Sequence, residues 1–254
     1  MEPIFLYDTT LRDGTQGENI SFSADEKVKI AERLDNLGIH YIEGGWPGSN
    51  PKDIQFFDMA RRVKFKQARL AAFGATRKPG ISPEDDTNLK ALLGTHTPVM
   101  TIFGKSWDLH VETVMENTLS ENLVMISESI EYLKSKQKEV IYDAEHFFDG
   151  FKENSDYAYL TISAAIKAGA DIIVFCDTNG GTLPFEVERI IQEIFRRIEK
   201  DRALSTDDLR PKFGIHTHND CGLAVANSIT AIRLGLTMVQ GTINGYGEDR
   251  KSVV

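Results

Sequence analysis

Residues 4–42, IFLYDTTLRDGTQGENISFSADEKVKIAERLDNLGIHYI, contain the unit of structure that decides the fold. The apolar run Ile4–Tyr7 predicts a short strand that leads into a polar loop. Ser23–Glu26 has the spacing of a capping box, so a helix is expected over Lys27–Leu37, where apolar residues recur at helical intervals. Ile39–Ile42 then predicts a second strand. The order of strand, loop, helix and strand is typical of parallel α/β proteins.

The same alternation continues along the rest of the chain. The predicted strands are Ile4–Tyr7, Ile39–Ile42, Leu70–Phe73, Val99–Phe103, Val140–Tyr142, Ile172–Phe175, Phe213–Ile215 and Met238–Ile243. The helical patterns between them cover Lys27–Leu37, Lys52–Arg62, Pro83–Leu93, Glu121–Ser135, Ser155–Ala168, Pro184–Glu199 and Gly222–Leu234. Eight strands with seven intervening helices predict an α/β fold, a (β/α)8 TIM barrel truncated after the eighth strand. A doubly wound open sheet is the structural alternative.

Polar sequences follow the carboxyl ends of most of the predicted strands. They are Asp8–Asp13, Glu43–Asn50, Asp143–Glu145, Asp177–Gly180, Asn244–Glu248 and the pair His216 and His218. In a parallel barrel all carboxyl ends lie at one face, where enzymes of this fold keep their catalytic groups. We therefore expect residues that are far apart in the sequence to converge on one pocket.

Two histidines and an aspartate in these polar sequences predict a metal site. Residues 212–218 read as a strand, and side chains alternate along a strand, so His216 and His218 point the same way. Two neutral imidazoles with the carboxylate of Asp13 would hold a divalent cation and leave positions open for substrate. Such a site is a Lewis acid for an anionic carbonyl compound. The same ligand types occur in iron oxygenases, whose usual scaffold is an all-β jelly roll instead.

The composition favours a cytoplasmic enzyme. The chain has 254 residues with 41% hydrophobic and 26% charged content, enough for one core, and it lacks the run of about 20 apolar residues that a membrane span needs. A formal net charge of −9 argues against a nucleic-acid partner. Cys176 and Cys221 are interpreted as reduced packing residues. No signal peptide is recognised ahead of Ile4.

Several long strings carry a resemblance to a known family. They are Asp8–Gly14 with Gln16, Tyr41–Pro47, His216–Asp220 and Gly241–Glu248. They resemble the pyruvate-carboxyltransferase-like, metal-dependent TIM barrels, a family of isopropylmalate, citramalate and homocitrate synthases and acyl-CoA lyases. The resemblance covers residues 1–248. Within the family, three further strings are most similar to the citramalate-forming synthases of the bacterial type: residues 103–110, 141–150 and 176–184.

The resemblance implies an acyltransferase that condenses acetyl-CoA with pyruvate to give (R)-citramalate and CoA, a step of isoleucine and branched-chain amino-acid biosynthesis. Isopropylmalate or homocitrate synthesis is the alternative, because these reactions differ in the keto acid alone. An acyl-CoA lyase is disfavoured because residues 241–248 lack the cysteine of those lyases. From another class, a keto-acid-binding barrel without catalysis is also considered.

The resemblance also implies roles for single residues. Asp13, His216 and His218 match the family's ligands for a divalent ion, which would be Mg, Mn, Co or Zn. Arg12 matches the arginine that faces the substrate's carbonyl oxygen, and Glu145 matches the catalytic glutamate. Three more residues match groups that bind the substrate or support the ligand shell: Thr178, Gln16 and Glu43.

The end of the chain departs from the family pattern. The family continues past Gly-Glu with Arg-x-Gly-Asn, whereas this chain reads GEDRKSVV over residues 247–254. We therefore expect a catalytic domain over residues 1–248, a non-native tail over 249–254, and downstream domains that are missing. The full-length protein is expected to be a homodimer, and the shortened chain is expected to be inactive.

Overall fold

The computed structural model describes residues 3–201, 204 and 211–247, and its fold is a closed parallel barrel. The strands are β1 (Phe5–Asp8), β2 (Tyr41–Glu43), β3 (Arg69–Ala75), β4 (Val99–Lys105), β5 (Glu139–Glu145), β6 (Ile172–Asp177), β7 (Lys212–Thr217) and β8 (Met238–Gly241). Each strand pairs in parallel with the next, and β8 pairs with β1 to close the ring. The predicted (β/α)8 barrel is confirmed, and the open sheet is excluded.

Helices alternate with the strands. They are α1 (Ala24–Leu37), α2 (Pro51–Ala60), α3 (Thr87–Gly94), α4 (Leu119–Ser135), α5 (Phe147–Glu153), α6 (Ser155–Lys167), α7 (Pro184–Lys200) and α8 (Ala224–Arg233). The predicted capping box opens α1: Ser23 Oγ accepts from the Glu26 N–H at 3.3 Å, and the Glu26 carboxylate accepts from the Ser23 N–H at 2.8 Å. The described residues after β8 contain a short 3₁₀ turn, Ile243–Gly245, and the proposed tail over 249–254 lies outside the described part of the chain.

The structure differs from the predicted elements at several boundaries and contains one helix that was not predicted. α3 starts at Thr87 instead of Pro83, because the Asp86 side chain accepts from the Leu89 N–H at 2.9 Å and so caps the helix there. α5 follows β5 almost directly and was not predicted. β8 ends at Gly241, two residues before the predicted end.

Apolar side chains fill two layers of the barrel. Those inside the ring of strands form one cluster: Tyr7, Tyr41, Ala71, Val99, Ile141, Ile172, Val174, Cys176 and Met238. The larger cluster lies between the strands and the surrounding helices and includes Ile42, Phe56, Leu89, Ile126, Phe148 and Ile190. Successive strand residues belong alternately to the two clusters, as the pleat requires. Within the described residues, no helix is long and apolar enough to cross a membrane.

Candidate metal and substrate site

A cavity of about 340 Å³ opens among the carboxyl ends of the strands. Its lining includes Arg12, Asp13, Gln16, Trp46, Phe73, Phe103, Asp143, Glu145, Cys176, Thr178, His216 and His218. These residues come from segments that span most of the sequence. The prediction that the polar sequences converge on one face of the barrel is therefore confirmed. The predicted site residues all line this cavity with the exception of Glu43, which is fully buried beneath it.

The three predicted metal ligands are neighbours. One ligand atom from each of Asp13, His216 and His218 lies within 4.8 Å of the others. Asp13 begins the 3₁₀ turn that follows β1, while His216 lies in β7 and His218 directly follows that strand. His216 Nε2 is 3.5 Å from Asp13 Oδ2, and the two imidazole centroids are 5.0 Å apart. Two imidazoles and one carboxylate at this spacing fit a divalent cation, although their role as ligands stays a prediction.

The electrostatics of this cluster favour a positive charge. Burial acts to raise the pKa of Asp13, but Arg12 and His216 outweigh it and hold this pKa well below its usual range. Burial acts to lower the pKa of His216, but the carboxylate of Asp13 raises it above the usual value. The cluster therefore offers an ionised carboxylate and stabilises a proton where a cation would bind.

Arg12 is held in the cavity by a buried carboxylate. Its Nε donates to Glu43 Oε1 at 2.6 Å, and its guanidinium lies 3.9 Å above the centroid of the Phe73 ring. Its NH1 also reaches Gln16 Oε1 at 3.4 Å. The other oxygen of Glu43 accepts from the Tyr7 hydroxyl at 2.6 Å. With both oxygens engaged, Glu43 supports Arg12, and the prediction that it contacts substrate remains untested.

A second carboxylate faces the cavity from β5. Glu145 is the last residue of β5 and forms an ion pair with Lys105, the last residue of β4. Thr178 follows β6, and its Oγ1 accepts from the His146 N–H at 2.9 Å. His146 has φ +54°, the left-handed region that non-glycine residues adopt at a cost, so the chain turns sharply just after Glu145. Sequence reasoning missed Lys105, whose position opposite Glu145 in the β4–β5 register was not marked by any spacing.

The residues that orient His216 were also missed. His216 Nδ1 lies 2.8 Å from Gln240 Oε1, and Gln240 Nε2 donates to Asp143 Oδ1 at 3.0 Å. Burial and the nearby charge of Glu43 raise the pKa of Asp143 to about 7. The one available signal was a glutamine inside an otherwise apolar strand, because a buried amide needs partners.

Aromatic rings form the opposite wall. Trp46 meets Phe73 and Phe103 edge to face, with centroids 5.8 and 5.5 Å away, and its Nε1 donates to Asn88 Oδ1 at 2.8 Å. The Trp46 N–H donates to Asp53 Oδ2 at 2.8 Å. Trp46 is therefore held in place as part of the cavity wall.

The loop that carries Trp46 rests on a buried ion pair. Lys27 of α1 pairs with Asp53 of α2 and donates to the Gly44 carbonyl at 3.2 Å. Gly45 has φ +147°, and a Cβ built there would overlap the Asp53 carboxylate. Glycine is therefore required where this loop crosses the ion pair.

Comparisons with known proteins show the family to which the chain belongs. The model of the HMGL-like family matches residues 3–251. An (R)-citramalate synthase of Geobacter sulfurreducens is 54% identical over 98% of this chain, and one of Aquifex aeolicus is 53% identical over 97%. A 2-isopropylmalate synthase of Staphylococcus carnosus is 32% identical over 98% of the chain. The alignments cover 45%, 45% and 46% of these relatives, so the chain spans about half of their length.

Solved structures support the fold. The crystal structure of an HMG-CoA lyase from Bacillus subtilis superposes with a TM-score of 0.76 at 20% sequence identity. The superposition covers 98% of this chain and 79% of the lyase chain. At that identity the likeness concerns the barrel itself.

Proposed function

The chain belongs to the HMGL-like family, and on this premise we propose that it is the catalytic barrel of an acyltransferase that condenses acetyl-CoA with pyruvate to (R)-citramalate and CoA. The observation that carries the proposal is the approach of Arg12 and the Asp13, His216 and His218 cluster to one cavity, in a chain 54% identical to an (R)-citramalate synthase. Relatives that make isopropylmalate are at 32% and 33% identity, which favours pyruvate as the keto acid.

Asp13, His216 and His218 would hold the divalent cation, whether Mg, Mn, Co or Zn. When bound, such a cation supplies Lewis-acid activation of a keto group. Arg12 donates hydrogen bonds toward the keto oxygen, on which negative charge develops as the enolate of acetyl-CoA attacks the keto carbon. A carbon–carbon bond forms in this step, and water then cleaves the thioester to release CoA.

Glu145 is the residue to which we assign proton transfer. Its carboxylate lines the cavity and forms an ion pair with Lys105, and from this position it can accept a proton from the acetyl methyl group or orient the attacking water. Thr178 binds the substrate carboxylate in this scheme. Because Thr178 Oγ1 accepts from the His146 N–H, its own hydroxyl proton is directed elsewhere and can be donated to the carboxylate.

The remaining parts of the proposal concern the whole protein. We infer a cytoplasmic biosynthetic enzyme that supplies isoleucine and acts as a homodimer, with small-molecule substrates alone. The family membership and the closed barrel support a biosynthetic enzyme, and the net charge of −9 favours small-molecule substrates over a nucleic acid.

The experiment uses two forms of the protein. In the first, this chain alone is titrated with pyruvate in the presence of Mn²⁺, and binding is followed by calorimetry. In the second, residues 1–247 replace the matching part of the Geobacter relative, and CoA release from acetyl-CoA is measured with pyruvate, 2-ketoisovalerate and 2-ketoglutarate. We expect binding in the first form and pyruvate-dependent CoA release in the second.

A double variant, His216→Ala with His218→Ala, should abolish both signals, while the exposed His96→Asn serves as a matched histidine control. A folded chimaera that releases no CoA, together with a barrel that binds no pyruvate, would contradict the proposal. Release with a bulkier keto acid alone would favour isopropylmalate or homocitrate synthesis instead.

A further inference from the structure

Gln240 and His216 face each other across neighbouring strands inside the barrel. The register pairs His216 of β7 with Gln240 of β8, so the backbone ladder fixes their separation. His216 Nδ1 and Gln240 Oε1 are 2.8 Å apart, and the residues are 8% and 2% exposed. The contact is therefore dry and held by two strands of the barrel.

Asp143 decides which end of the Gln240 amide faces His216. It reaches Gln240 from β5, on the other side of the barrel interior, and its Oδ1 accepts from Gln240 Nε2 at 3.0 Å. A carboxylate oxygen accepts hydrogen bonds, so the amide nitrogen of Gln240 is assigned to Asp143 and the amide oxygen to His216. The amide oxygen can only accept, which means that His216 Nδ1 carries the proton.

This assignment leaves the other ring nitrogen available. A neutral imidazole with its proton on Nδ1 presents a lone pair on Nε2, and Nε2 is the atom that lies 3.5 Å from Asp13 Oδ2. An imidazole without fixed partners distributes its proton between both nitrogens, and the form protonated on Nε2 cannot bind a cation there. Partners that fix the ring in this way strengthen metal binding in other proteins.

We propose that Gln240 and Asp143 are positioning residues, which hold His216 as the Nδ1–H tautomer and so present Nε2 to the divalent cation. The proposal deepens the proposed function, since it rests on the same metal site. It also explains a residue pattern that packing alone would not select, because an amide and a carboxylate are buried at 2% and 4% exposure in a barrel whose interior also holds an apolar cluster.

The first measurement is the tautomer of His216 in the metal-free chain. Ring ¹⁵N shifts are recorded at pH 8, and the His216 signals are assigned by their loss in His216→Gln. The wild type should show a proton on Nδ1, whether or not Nε2 also carries one. Gln240→Met, which has a similar volume and no acceptor at this place, should give a mixture or the Nε2–H form.

The second measurement is the Kd for Mn²⁺ and Zn²⁺, from competition with a chromophoric chelator at the same pH. We expect Gln240→Met to weaken binding by about 10- to 100-fold, the range found when such supporting partners are removed. Asp143→Leu should release the amide and weaken binding too, whereas Asp143→Asn keeps an acceptor for Gln240 and should restore most of the affinity. Thr237→Val, a buried polar change on the residue just before β8, is the control and should leave both readouts unchanged.

A Gln240→Met protein that keeps the Nδ1–H signature and a Kd within twofold of the wild type overturns the proposal. If Gln240→Met does not fold, as judged by circular dichroism, Gln240→Glu replaces it, because its carboxylate still accepts from Nδ1–H. It should therefore keep the tautomer, and loss of the tautomer in this variant overturns the proposal as well. A wild type that binds no divalent ion contradicts the proposed function, whereas the spectrum still tests the tautomer.

Discussion

Replacing Glu43 with glutamine tests how Arg12 is held. The Glu43 side chain is fully buried, that of Arg12 is 15% exposed, and 2.6 Å separates Arg12 Nε from Glu43 Oε1. A glutamine can still accept from Arg12, but the guanidinium loses its counter-charge in a dry setting. Breaking a buried pair costs about 3–5 kcal/mol, and a hydrogen bond to a charged group contributes about 1.5–3 kcal/mol. We therefore expect Glu43→Gln to lower the free energy of unfolding by about 2–3 kcal/mol.

The matched control removes a hydrogen bond to the same carboxylate without removing its charge. Tyr7→Phe deletes the hydroxyl that donates to Glu43 Oε2, and this change should cost about 1.5 kcal/mol, the lower end of the range for a hydrogen bond to a charged group. Both variants are unfolded with urea at pH 8 in metal-free buffer, and the transition is followed by tryptophan fluorescence and circular dichroism. If Glu43→Gln lies within about 0.5 kcal/mol of the wild type, the reasoning is refuted, because the stacking on Phe73 would then suffice to hold Arg12.

Four more predictions follow from single contacts. Gly45→Ala should lower the free energy of unfolding by about 2 kcal/mol or more, measured by the same urea titration, because the new Cβ meets Asp53 at a positive φ. Burial raises the pKa of Asp8 to about 6, so the native state retains a proton that the unfolded chain releases near pH 4. The free energy of unfolding should therefore fall by up to about 3 kcal/mol as the pH rises from 4 to 6. If the difference in this free energy between the wild type and Asp8→Asn does not change with pH, the prediction is wrong. Arg12→Lys should lower the turnover of the chimaera by about 10²-fold with normal metal content, since a lysine cannot reproduce the guanidinium fork. His218→Ala should lose a stoichiometric divalent ion, measured by elemental analysis, and retention of the ion would remove His218 from the ligand set.

The repeat of strand and helix was readable from the sequence because it depends on local periodicity. The grouping of Asp13 with His216 and His218 was readable for a related reason. Two residues separated by one position on a strand point the same way, and the carboxyl ends of the strands in a parallel barrel share one face. The separation of about 200 residues between Asp13 and the histidines therefore did not matter. General geometry, without any knowledge of packing, was enough to predict that cluster.

The side chains that contact the site residues could not be predicted from strand geometry alone. The contacts of Gln240 with Asp143 and of Lys105 with Glu145 depend on the register and on inward side-chain directions, which the sequence marks only as polar residues in apolar strands. α5 was missed because its own sequence does not favour a helix. Gly150 lies within it and disfavours a helix, yet a Cβ at this position would overlap the backbone of Ser106, so close packing of α5 against the end of β4 outweighs propensity.

Three buried aspartates near the cavity differ in how the folded barrel changes their pKa. Burial raises the pKa of Asp8 to about 6 and that of Asp143 to about 7, so both groups ionise at a higher pH in the folded barrel than in water. Asp13 behaves in the opposite way, because Arg12 and His216 more than offset its burial. Of these three carboxyl groups, Asp13, which lies beside both histidines, is therefore the one whose ionised form the folded barrel stabilises. A divalent cation bound there would meet a charged carboxylate, as the proposed metal site requires.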